Sequence, residues 1–483
     1  MFELFKKYYL RKYYAFIVLF MLAVIAVMIH TSCANIIPPT GGPRDSLPPV
    51  LLKSVPADST LNFNAKKITL SFDEYVQLDN KIQSDLIVSP NPNQMPYVTS
   101  HLRDVTIRLK DSLKPNTTYS IDFGNSLKDI NEGNPYRNFT YVFSTGNSIA
   151  TGGLSGKVQL AETGTADSTL IAILHTNLND SAVKKLKPDY YTRLDSGGNF
   201  HFRFIENGIY NVFVLPNDYT KKYDDSSKMF AFLNEPVTIN DAPAAPVMLY
   251  AYNEYPPGKE GSSFNNAPAP NTSSKKKDAD TVKTIKFATT LDNREQDLLS
   301  DLVISFAEHL EHFDSSKINL TDTNYHPVAA YKIVADTSFA NFSLQYPWKE
   351  DQYFKLVVQK DAFIDSAGKM LAKNDTLSFK TSSESQYGSV RLRFSGIDFN
   401  QNPVLQFIQN NKVVDSVSLT QTEFYRKLYK PGEYDMRILF DTDKNMTWTP
   451  GNYELKRQPE ISIRIPRKLT IKQNWDNEVN VNL

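Results

Sequence analysis

Apolar and polar residues alternate along much of the chain, as expected for strands that bury one face. The segment 68–72 (Ile-Thr-Leu-Ser-Phe) places three apolar residues on one face, and the alternation recurs at 105–109, 171–175 and 200–204. Short turn-forming segments such as 129–133 (Asp-Ile-Asn-Glu-Gly) separate these runs. The pattern predicts an all-β chain built of sandwiches.

The same pattern occurs twice, with a polar, Pro-rich segment between the two copies. Leu-Val-Ile-Ser-Phe-Ala-Glu at 302–308 matches Ile-Thr-Leu-Ser-Phe-Asp-Glu at 68–74. Gly-Glu-Tyr at 432–434 matches Gly-Ile-Tyr at 208–210. The chain is therefore predicted to contain two copies of a two-sandwich module.

Four motifs in the first sandwich resemble those of the S-layer-type bacterial Ig-like domain. They are Leu-Ser-Phe-Asp-Glu at 70–74, Leu-Lys-Pro-Asn-Thr-Thr-Tyr at 113–119, the turn at 129–134 and Phe-Ser-Thr-Gly at 143–146. The resemblance implies a seven-stranded sandwich used in surface and periplasmic proteins.

The second unit is similar to the transthyretin-like or carboxypeptidase-regulatory sandwich. The likeness rests on Asp-Ser-Gly-Gly-Asn-Phe at 195–200 ahead of the Gly-Ile-Tyr element at 208–210. It implies an accessory module. The predicted fold is thus four tandem β-sandwiches, alternately Ig-like and transthyretin-like, after an N-terminal signal helix.

The domain boundaries follow from these units and from the Pro-rich and polar segments between them. We predict a signal segment at 1–33, a tether at 34–48, Ig-like sandwiches at 49–148 and 283–384, transthyretin-like sandwiches at 149–254 and 385–483, and a disordered linker at 255–282.

The N-terminal apolar run 15–29 follows a basic flank and precedes Cys33, the single cysteine of the chain. A basic flank, an apolar stretch and small residues at a cleavage point indicate an export signal. The segment resembles a bacterial lipoprotein signal, with His30 where leucine is usual. The resemblance implies cleavage before Cys33 and acylation of that residue. An uncleaved membrane anchor and a buried core helix are the alternatives.

Composition narrows the choice of partners. The chain has 53 basic and 53 acidic side chains, so no net field favours nucleic acid. One cysteine allows no intrachain disulfide, and each sandwich must be stabilised by its own core.

The strongest candidate for a metal site is the loop 441–445 (Asp-Thr-Asp-Lys-Asn). Alternate oxygen ligands from Asp441, Asp443 and Asn445 suit Ca²⁺. Met446 stands where such a loop uses glycine, and Asn452 stands where a bidentate Glu is expected. The alternative is an Asx turn held by hydrogen bonds. The C-terminal stretch containing this loop resembles the ending of Bacteroidota-type Ig-like lipoproteins, with the same departure at Met446.

Other chemical motifs are weaker. His309 and His312 would share a face of a helix, but the repeat places them at a strand end, where they point to opposite sides. The segment 151–157 (Thr-Gly-Gly-Leu-Ser-Gly-Lys) lacks the register of a phosphate-binding loop. We predict no catalytic residue and no cofactor other than the candidate Ca²⁺, and carboxylate-pair catalysis stays open.

These observations predict a non-catalytic envelope lipoprotein that acts as a structural or interaction module. Its partners would be the lipid bilayer, through acylated Cys33, and an envelope protein or glycan. We expect the periplasmic face of the outer membrane, with surface exposure as the alternative. The competing functions are glycan processing at a site on sandwich loops and glycan binding by exposed aromatics. The candidates are Trp348, Trp448 and Trp475, for which core or corner positions are the alternative.

Overall fold

The computed structural model describes residues 2–30, 45–137, 139–242, 244–254 and 284–483. Three predictions from the sequence concern residues outside these ranges: lipidation at Cys33, most of the tether at 34–48, and the linker at 255–282. They stay predictions.

The N-terminal apolar segment lies in helix α1 (Phe2–His30). Every side chain described within this helix, from residue 10 to residue 26, is exposed, and large apolar ones such as Phe16 and Leu19 are each 69% exposed. The helix therefore contributes to no core, and the alternative of a buried core helix is wrong. Among the described residues, no helix is long and apolar enough to cross a membrane.

The described residues of the first sandwich form nine strands, all antiparallel in their paired segments. The sheet β1-β2-β6-β5 and the sheet β4-β7-β9 enclose one apolar core. Strands β3 and β8 pair separately and account for the two strands beyond the seven that the resemblance implies. The bounds are β1 (Leu51–Val55), β2 (Lys67–Phe72), β3 (Val76–Leu78), α2 (Ile82–Asp85), β4 (Ile87–Ser89), β5 (Tyr97–His101), β6 (Asp104–Arg108), β7 (Thr118–Asp122), β8 (Leu127–Asp129) and β9 (Thr140–Ser144).

The second sandwich differs in connectivity. Its strands are hydrogen-bonded in the order β12-β11-β14-β15-β17-β10-β13, with β16 also on β14. Strands β10 and β17 are parallel. The bounds are β10 (Gly152–Leu160), β11 (Leu170–His175), α3 (Ala182–Lys185), β12 (Tyr190–Arg193), β13 (Asn199–Ile205), β14 (Gly208–Pro216), β15 (Met229–Phe232), β16 (Val237–Ile239) and β17 (Val247–Asn253).

The third sandwich repeats the arrangement of the first. Its sheets are β18-β20-β24-β23, β19-β27-β25-β22 and β21-β26, and apart from β19 each strand has a counterpart in the first sandwich. The bounds are β18 (Phe287–Thr289), β19 (Glu295–Gln296), β20 (Leu302–Phe306), β21 (Leu310–Phe313), β22 (Ile318–Thr321), β23 (Lys332–Ala335), β24 (Asn341–Gln345), β25 (Tyr353–Val358), β26 (Phe363–Asp365) and β27 (Asp375–Thr381), with 3₁₀ turns at Ser315–Lys317 and Glu384–Gln386.

The fourth sandwich repeats the second. Sheet β31-β28-β34 packs with sheet β30-β29-β32-β33, and β28 and β34 are parallel, as β10 and β17 are. The bounds are β28 (Gly388–Ser395), a 3₁₀ turn at Phe399–Gln401, β29 (Pro403–Gln409), β30 (Lys412–Ser418), β31 (Glu423–Tyr429), β32 (Gly432–Phe440), β33 (Ile461–Ile471) and β34 (Asp476–Asn482).

Side-chain burial confirms the predicted repeat. Strands β14 and β32 have the same sequence of exposed, half-buried and buried positions. The Tyr210 hydroxyl donates to the carbonyl oxygen of Glu206 at 2.7 Å, and the Tyr434 hydroxyl donates to that of Lys430 at 3.0 Å. The Gly-x-Tyr motif thus fixes the same local structure in both copies, because a buried phenol needs a hydrogen-bond partner.

The prediction that 171–175 has one buried and one exposed face is wrong. Every residue of β11 is buried. Ala172 and Leu174 belong to the core inside the sandwich, whereas Ile171 and Ile173 belong to a second core on its outer face. A strand buried on both faces is a nearly continuous apolar run, as Leu-Ile-Ala-Ile-Leu is here.

The outer core joins three sandwiches. Most of its members come from the second sandwich, but Ile87 comes from the first and Tyr453 from the fourth. Consecutive sandwiches also share polar contacts. Asn91 of the first sandwich donates its backbone N–H to the Asp189 carbonyl oxygen of the second at 2.7 Å. The buried Tyr387 hydroxyl of the fourth donates to an Asp297 carboxylate oxygen of the third at 2.7 Å. The second sandwich is therefore the hub of the protein.

We expect stability to fall at mildly acidic pH because of His175. This side chain is 1% exposed, and burial lowers the pKa of its imidazole from 6.5. The neutral ring is favoured in the fold, so its contribution to stability is complete above pH 6.5 and is lost as pH falls towards the folded-state pKa. Thermal unfolding between pH 7.5 and pH 5 should show a smaller loss for His175→Gln than for the native chain.

His101→Gln is the matched control, because His101 is exposed and the native slope should persist in that variant. Equal pH slopes for His175→Gln and the native chain would contradict the role given to His175.

Candidate functional site

The segment 441–460 connects β32 to β33 in the fourth sandwich and contains the predicted metal ligands. Its start is a tight turn around Asp441. One oxygen of this carboxylate accepts the Met446 N–H at 2.7 Å and the other accepts the Asn445 N–H at 3.2 Å. Met446 has φ +62°, a left-handed conformation that glycine adopts without cost. The turn therefore forms without glycine, because the buried Asp441 carboxylate holds the backbone N–H groups.

Three carboxylates converge at the base of this segment. Asp441, Asp443 and Glu460 each offer an oxygen, and these oxygens lie within 4.8 Å of one another. Asp441 is 2% and Glu460 is 5% exposed, whereas Asp443 is exposed. Among the described residues, this is the one group of three or more His, Cys, Asp or Glu side chains close enough to share an ion.

Glu460 is the member that sequence reasoning missed. It lies next to the start of β33, which returns beside the end of β32 in an antiparallel pair. No spacing rule marks it, because its proximity to Asp441 comes from the pairing of Phe440 with Ile461. The one hint in the sequence is the Arg-Gln-Pro-Glu segment at 457–460, which places a carboxylate directly before a strand.

Oxygen atoms of the Glu460 and Asp443 carboxylates already accept hydrogen bonds from within the segment. Glu460 Oε1 accepts the Thr442 N–H at 2.6 Å and the Thr442 hydroxyl at 2.8 Å, and its Oε2 accepts the Thr449 N–H at 2.9 Å. An Asp443 oxygen accepts the Thr449 hydroxyl at 2.7 Å. These bonds support the Asx-turn alternative, since they stabilise the segment without an ion.

Asn445 and Asn452, the two asparagines considered in the sequence analysis, use their amide oxygens to accept hydrogen bonds within turns. The Asn445 amide oxygen accepts the N–H and hydroxyl of Thr447, each at 2.6 Å. The Asn452 amide oxygen accepts the Leu455 N–H at 2.8 Å and so closes a second turn. Glu460, rather than Asn452, supplies the third carboxylate near Asp441 and Asp443.

The donor set fits Ca²⁺ in its chemistry, because calcium prefers carboxylate oxygens. Three like charges held close together repel one another, and a divalent cation would offset that repulsion. A calcium ion bound by Asp441, Asp443 and Asn445 stays a prediction, with Glu460 added as a further ligand.

The remaining motifs lie in structural positions. His309 precedes β21, where its Nδ1 is 2.8 Å from the Ser338 carbonyl oxygen, and His312 is exposed within that strand. The segment 151–157 leads into and forms the first part of β10.

The three tryptophans have different environments. Trp348 is 9% exposed and packs edge-on against Phe354 in the third core. The Trp448 indole N–H donates to the Glu460 carbonyl oxygen at 2.7 Å, and its ring packs on the outer core. Trp475 is 62% exposed, so the core alternative is wrong for this residue.

Trp475 lines a groove between the third and fourth sandwiches. Tyr425, which is 52% exposed, lines the same groove. The rest of the lining is mostly polar and includes Glu350, Glu384, Lys427, Asn474 and Asp476. The groove therefore combines exposed aromatic surface with hydrogen-bonding groups.

Thermal unfolding with calcium or chelator distinguishes the two interpretations of the acidic segment. If calcium binds, an excess of about a hundredfold over Kd stabilises the folded state by roughly 2.7 kcal/mol, and the melting temperature rises. Asp441→Ala should abolish that rise. If the segment is only an Asx turn, chelator has no effect and Asp443→Ala costs about 1 kcal/mol through its lost hydrogen bond.

Glu235→Gln is the matched control, because Glu235 is exposed and lies outside the acidic group. A calcium-dependent shift that persists in Asp441→Ala would place the ion elsewhere.

Comparison with known proteins gives a family for one part of the chain. Residues 45–145 match the family model of the bacterial Ig-like domain. No curated protein sequence matches the chain.

Solved structures align with much of the chain at low similarity. The Bacillus anthracis TIE protein is 12% identical over 92% of this chain and 75% of its own, with a TM-score of 0.16. BcpA, the major pilin subunit of Bacillus cereus, is 10% identical over 69% of this chain and 98% of its own, with a TM-score of 0.17. The S-layer protein rSbsC is 11% identical over 90% of this chain and 54% of its own, with a TM-score of 0.16. Alignments at these TM-scores carry no information on function.

The family match agrees with the motifs seen in the sequence and with the two-sheet architecture around a single core. The first sandwich is therefore a bacterial Ig-like domain, an assignment that rests on residues 45–145.

Proposed function

We propose that the chain is an exported lipoprotein of the cell envelope, held to a membrane by acylated Cys33 and acting as a non-catalytic structural or interaction module. The observation that carries this proposal is the position of the single cysteine, directly after an apolar segment with a basic flank. Acylation accounts for both features at once.

The exposed surface of α1 supports this proposal. Its described side chains pack in none of the cores, and apolar surface of this kind favours transfer out of water. A bilayer or a translocation channel would supply the apolar environment. Two or three acyl chains on Cys33, at ~0.8 kcal/mol per buried CH₂, would then hold the mature protein durably.

The position of the hub supports a structural or binding role. The outer core of the second sandwich joins it to the first and the fourth, which holds three sandwiches in fixed positions. A rigid array of sandwiches presents its loops at set distances from an anchor, as a scaffold or an adaptor requires. Ala34 and Asn35 follow the cysteine without an acidic cluster, which favours the periplasmic face of the outer membrane over the cell surface.

We expect the mature chain to begin at an acylated Cys33. Mass spectrometry of the protein from a bacterial host with lipoprotein processing should give an N-terminal peptide that starts at this residue and carries acyl mass. Cys33→Ala should retain residues 1–32, because the modification that precedes cleavage has no thiol to use.

His30→Leu restores the usual residue of the motif and should leave processing intact or improve it. An intact N-terminus with an unmodified Cys33 would establish the uncleaved anchor instead.

A second candidate function, glycan binding, is favoured by the exposure of Trp475 in the groove between the third and fourth sandwiches. Sugar rings present C–H groups that pack on aromatic faces, and their hydroxyls need polar partners such as Glu350 and Asn474. The Lys472 Nζ lies 5.6 Å from the centroid of the Trp475 ring, so it limits access of a sugar to that face of the ring.

If glycan binds here, Trp475→Ala should weaken binding by about 10-fold or more, since an exposed aromatic anchor carries much of such an interface. The measurement is a screen of soluble oligosaccharides followed by titration of the strongest binder. Tyr353→Ala is the control, because this residue is 63% exposed and lies outside the groove. Absence of binding by the native chain, or equal binding by Trp475→Ala, would exclude the groove.

A further inference from the structure

The second and fourth sandwiches are far apart in sequence, yet the segment 450–458 of the fourth lies on the outer face of the second. We propose that this face is a protein-binding socket whose ligand is the 450–458 segment. This contact holds the two halves of the protein, 45–254 and 284–483, together even when the chain between them is cut.

The centre of the contact is an aromatic side chain inserted among others. Tyr453 is 2% exposed. Its ring meets Phe230 and Phe232 edge-on, each at 5.1 Å between centroids, and Phe213 at 5.8 Å. The Tyr453 hydroxyl donates to the Asp180 carbonyl oxygen at 3.1 Å. Buried tyrosines with a satisfied hydroxyl are typical anchors of protein interfaces.

Polar contacts surround this anchor. Lys184 forms an ion pair with Glu454 at 2.9 Å, and Lys456 forms one with Asp180 at 2.5 Å. Gln458 donates to the Phe232 carbonyl oxygen at 3.1 Å. An apolar centre with a polar rim is the usual anatomy of a specific protein–protein interface.

Two close backbone approaches extend the contact beyond the anchor. A Cβ on Gly451 would lie 2.6 Å from the Tyr252 ring, and a Cβ on Gly164 would lie 2.7 Å from the Ser462 carbonyl oxygen. Ser462 donates its N–H to the Ala161 carbonyl oxygen at 2.8 Å. These positions accept glycine alone, which makes the fit of the two surfaces specific in shape.

A buried cation completes the interface. Arg437 in β32 is 6% exposed, and it donates to Gln406 at 2.7 Å and to the carbonyl oxygen of Glu162 in the second sandwich. Burial lowers the pKa of this guanidinium, and the Glu162 carboxylate opposes that change. Its hydrogen bond to Gln406 within the fourth sandwich and its hydrogen bond to Glu162 across the interface offset the cost of burying the charge.

These contacts differ from an ordinary junction between consecutive domains. The first and second sandwiches are consecutive in the chain, as are the third and fourth, but the second and fourth are connected in sequence only through the third and through 255–283. The socket and its ligand therefore behave as two complementary surfaces on separate bodies. The polar composition of 255–283 gives the cut site needed to test this.

The test uses the full-length chain in detergent, with a site-specific protease recognition sequence inserted within 262–272. After cleavage, denaturing electrophoresis should show two fragments, and size-exclusion chromatography at micromolar concentration should show them eluting together. Elution of the two native-sequence fragments as separate peaks would overturn the proposal.

Tyr453→Ala in the cleavable chain should weaken association of the fragments by about 30-fold or more, so that they separate on the column. Tyr219→Ala is the matched control, because Tyr219 belongs to the second sandwich and is 92% exposed. Fragments of Tyr453→Ala that stay together as firmly as those of the control would refute the role of the socket.

A charge exchange keeps the test valid if Tyr453→Ala fails to fold. Lys184→Glu places a carboxylate opposite Glu454 and should weaken association by about 2- to 5-fold, and adding Glu454→Lys should restore it. The Lys184 side chain is 37% and the Glu454 side chain 73% exposed, so neither substitution removes a residue from a core. A double variant that associates no better than Lys184→Glu would show that these surfaces do not face each other in solution.

Discussion

The protein depends on a β-sheet that is buried on both faces. Strands β11 and β14 of the second sandwich place alternate residues in the inner core and in an outer core. An outer face that contains Phe213, Phe230 and Phe232 is too apolar to meet water, and it must be covered. Tyr223 of the second sandwich covers part of this face, and Ile87 of the first sandwich and Tyr453 of the fourth complete the outer core. Burial of this face therefore brings the first and fourth sandwiches against the second, and the polar contacts around it fix their positions.

The duplication of the two-sandwich module explains how the cover is supplied. Strands β14 and β32 have the same burial pattern, so the segments 217–228 and 441–460 that follow them are equivalent connections. The two connections meet, with the rings of Tyr223 and Tyr453 6.3 Å apart. The longer connection of the second copy reaches the outer face of the first. Divergence in one connection between two similar copies therefore accounts for the contact between them.

The acidic group and the docking contact share one segment of chain. Asp441 and Glu460 close the base of 441–460, and Trp448 links that base to the outer core through its hydrogen bond to Glu460. Tyr453 lies in the middle of the segment, where its position depends on a fixed base. The first role of the carboxylates is accordingly to hold backbone N–H groups in a chain that has no regular structure over this stretch. A cation bound by these carboxylates would stabilise the same conformation of 441–460.

The sequence by itself determined the all-β class, several of the strands and the repetition of a two-sandwich module. These features depend on alternation, turn residues and motifs such as Gly-x-Tyr, all of which act within one sandwich. Only the tertiary structure revealed the outer core, the exposure of Trp475 and the approach of Glu460 to Asp441. Each of these depends on contacts between residues distant in the chain, and a local pattern carries no information on which surfaces meet. The continuous apolar run at 170–174 was a partial signal, since it indicated a covered face without identifying Tyr453 as its cover.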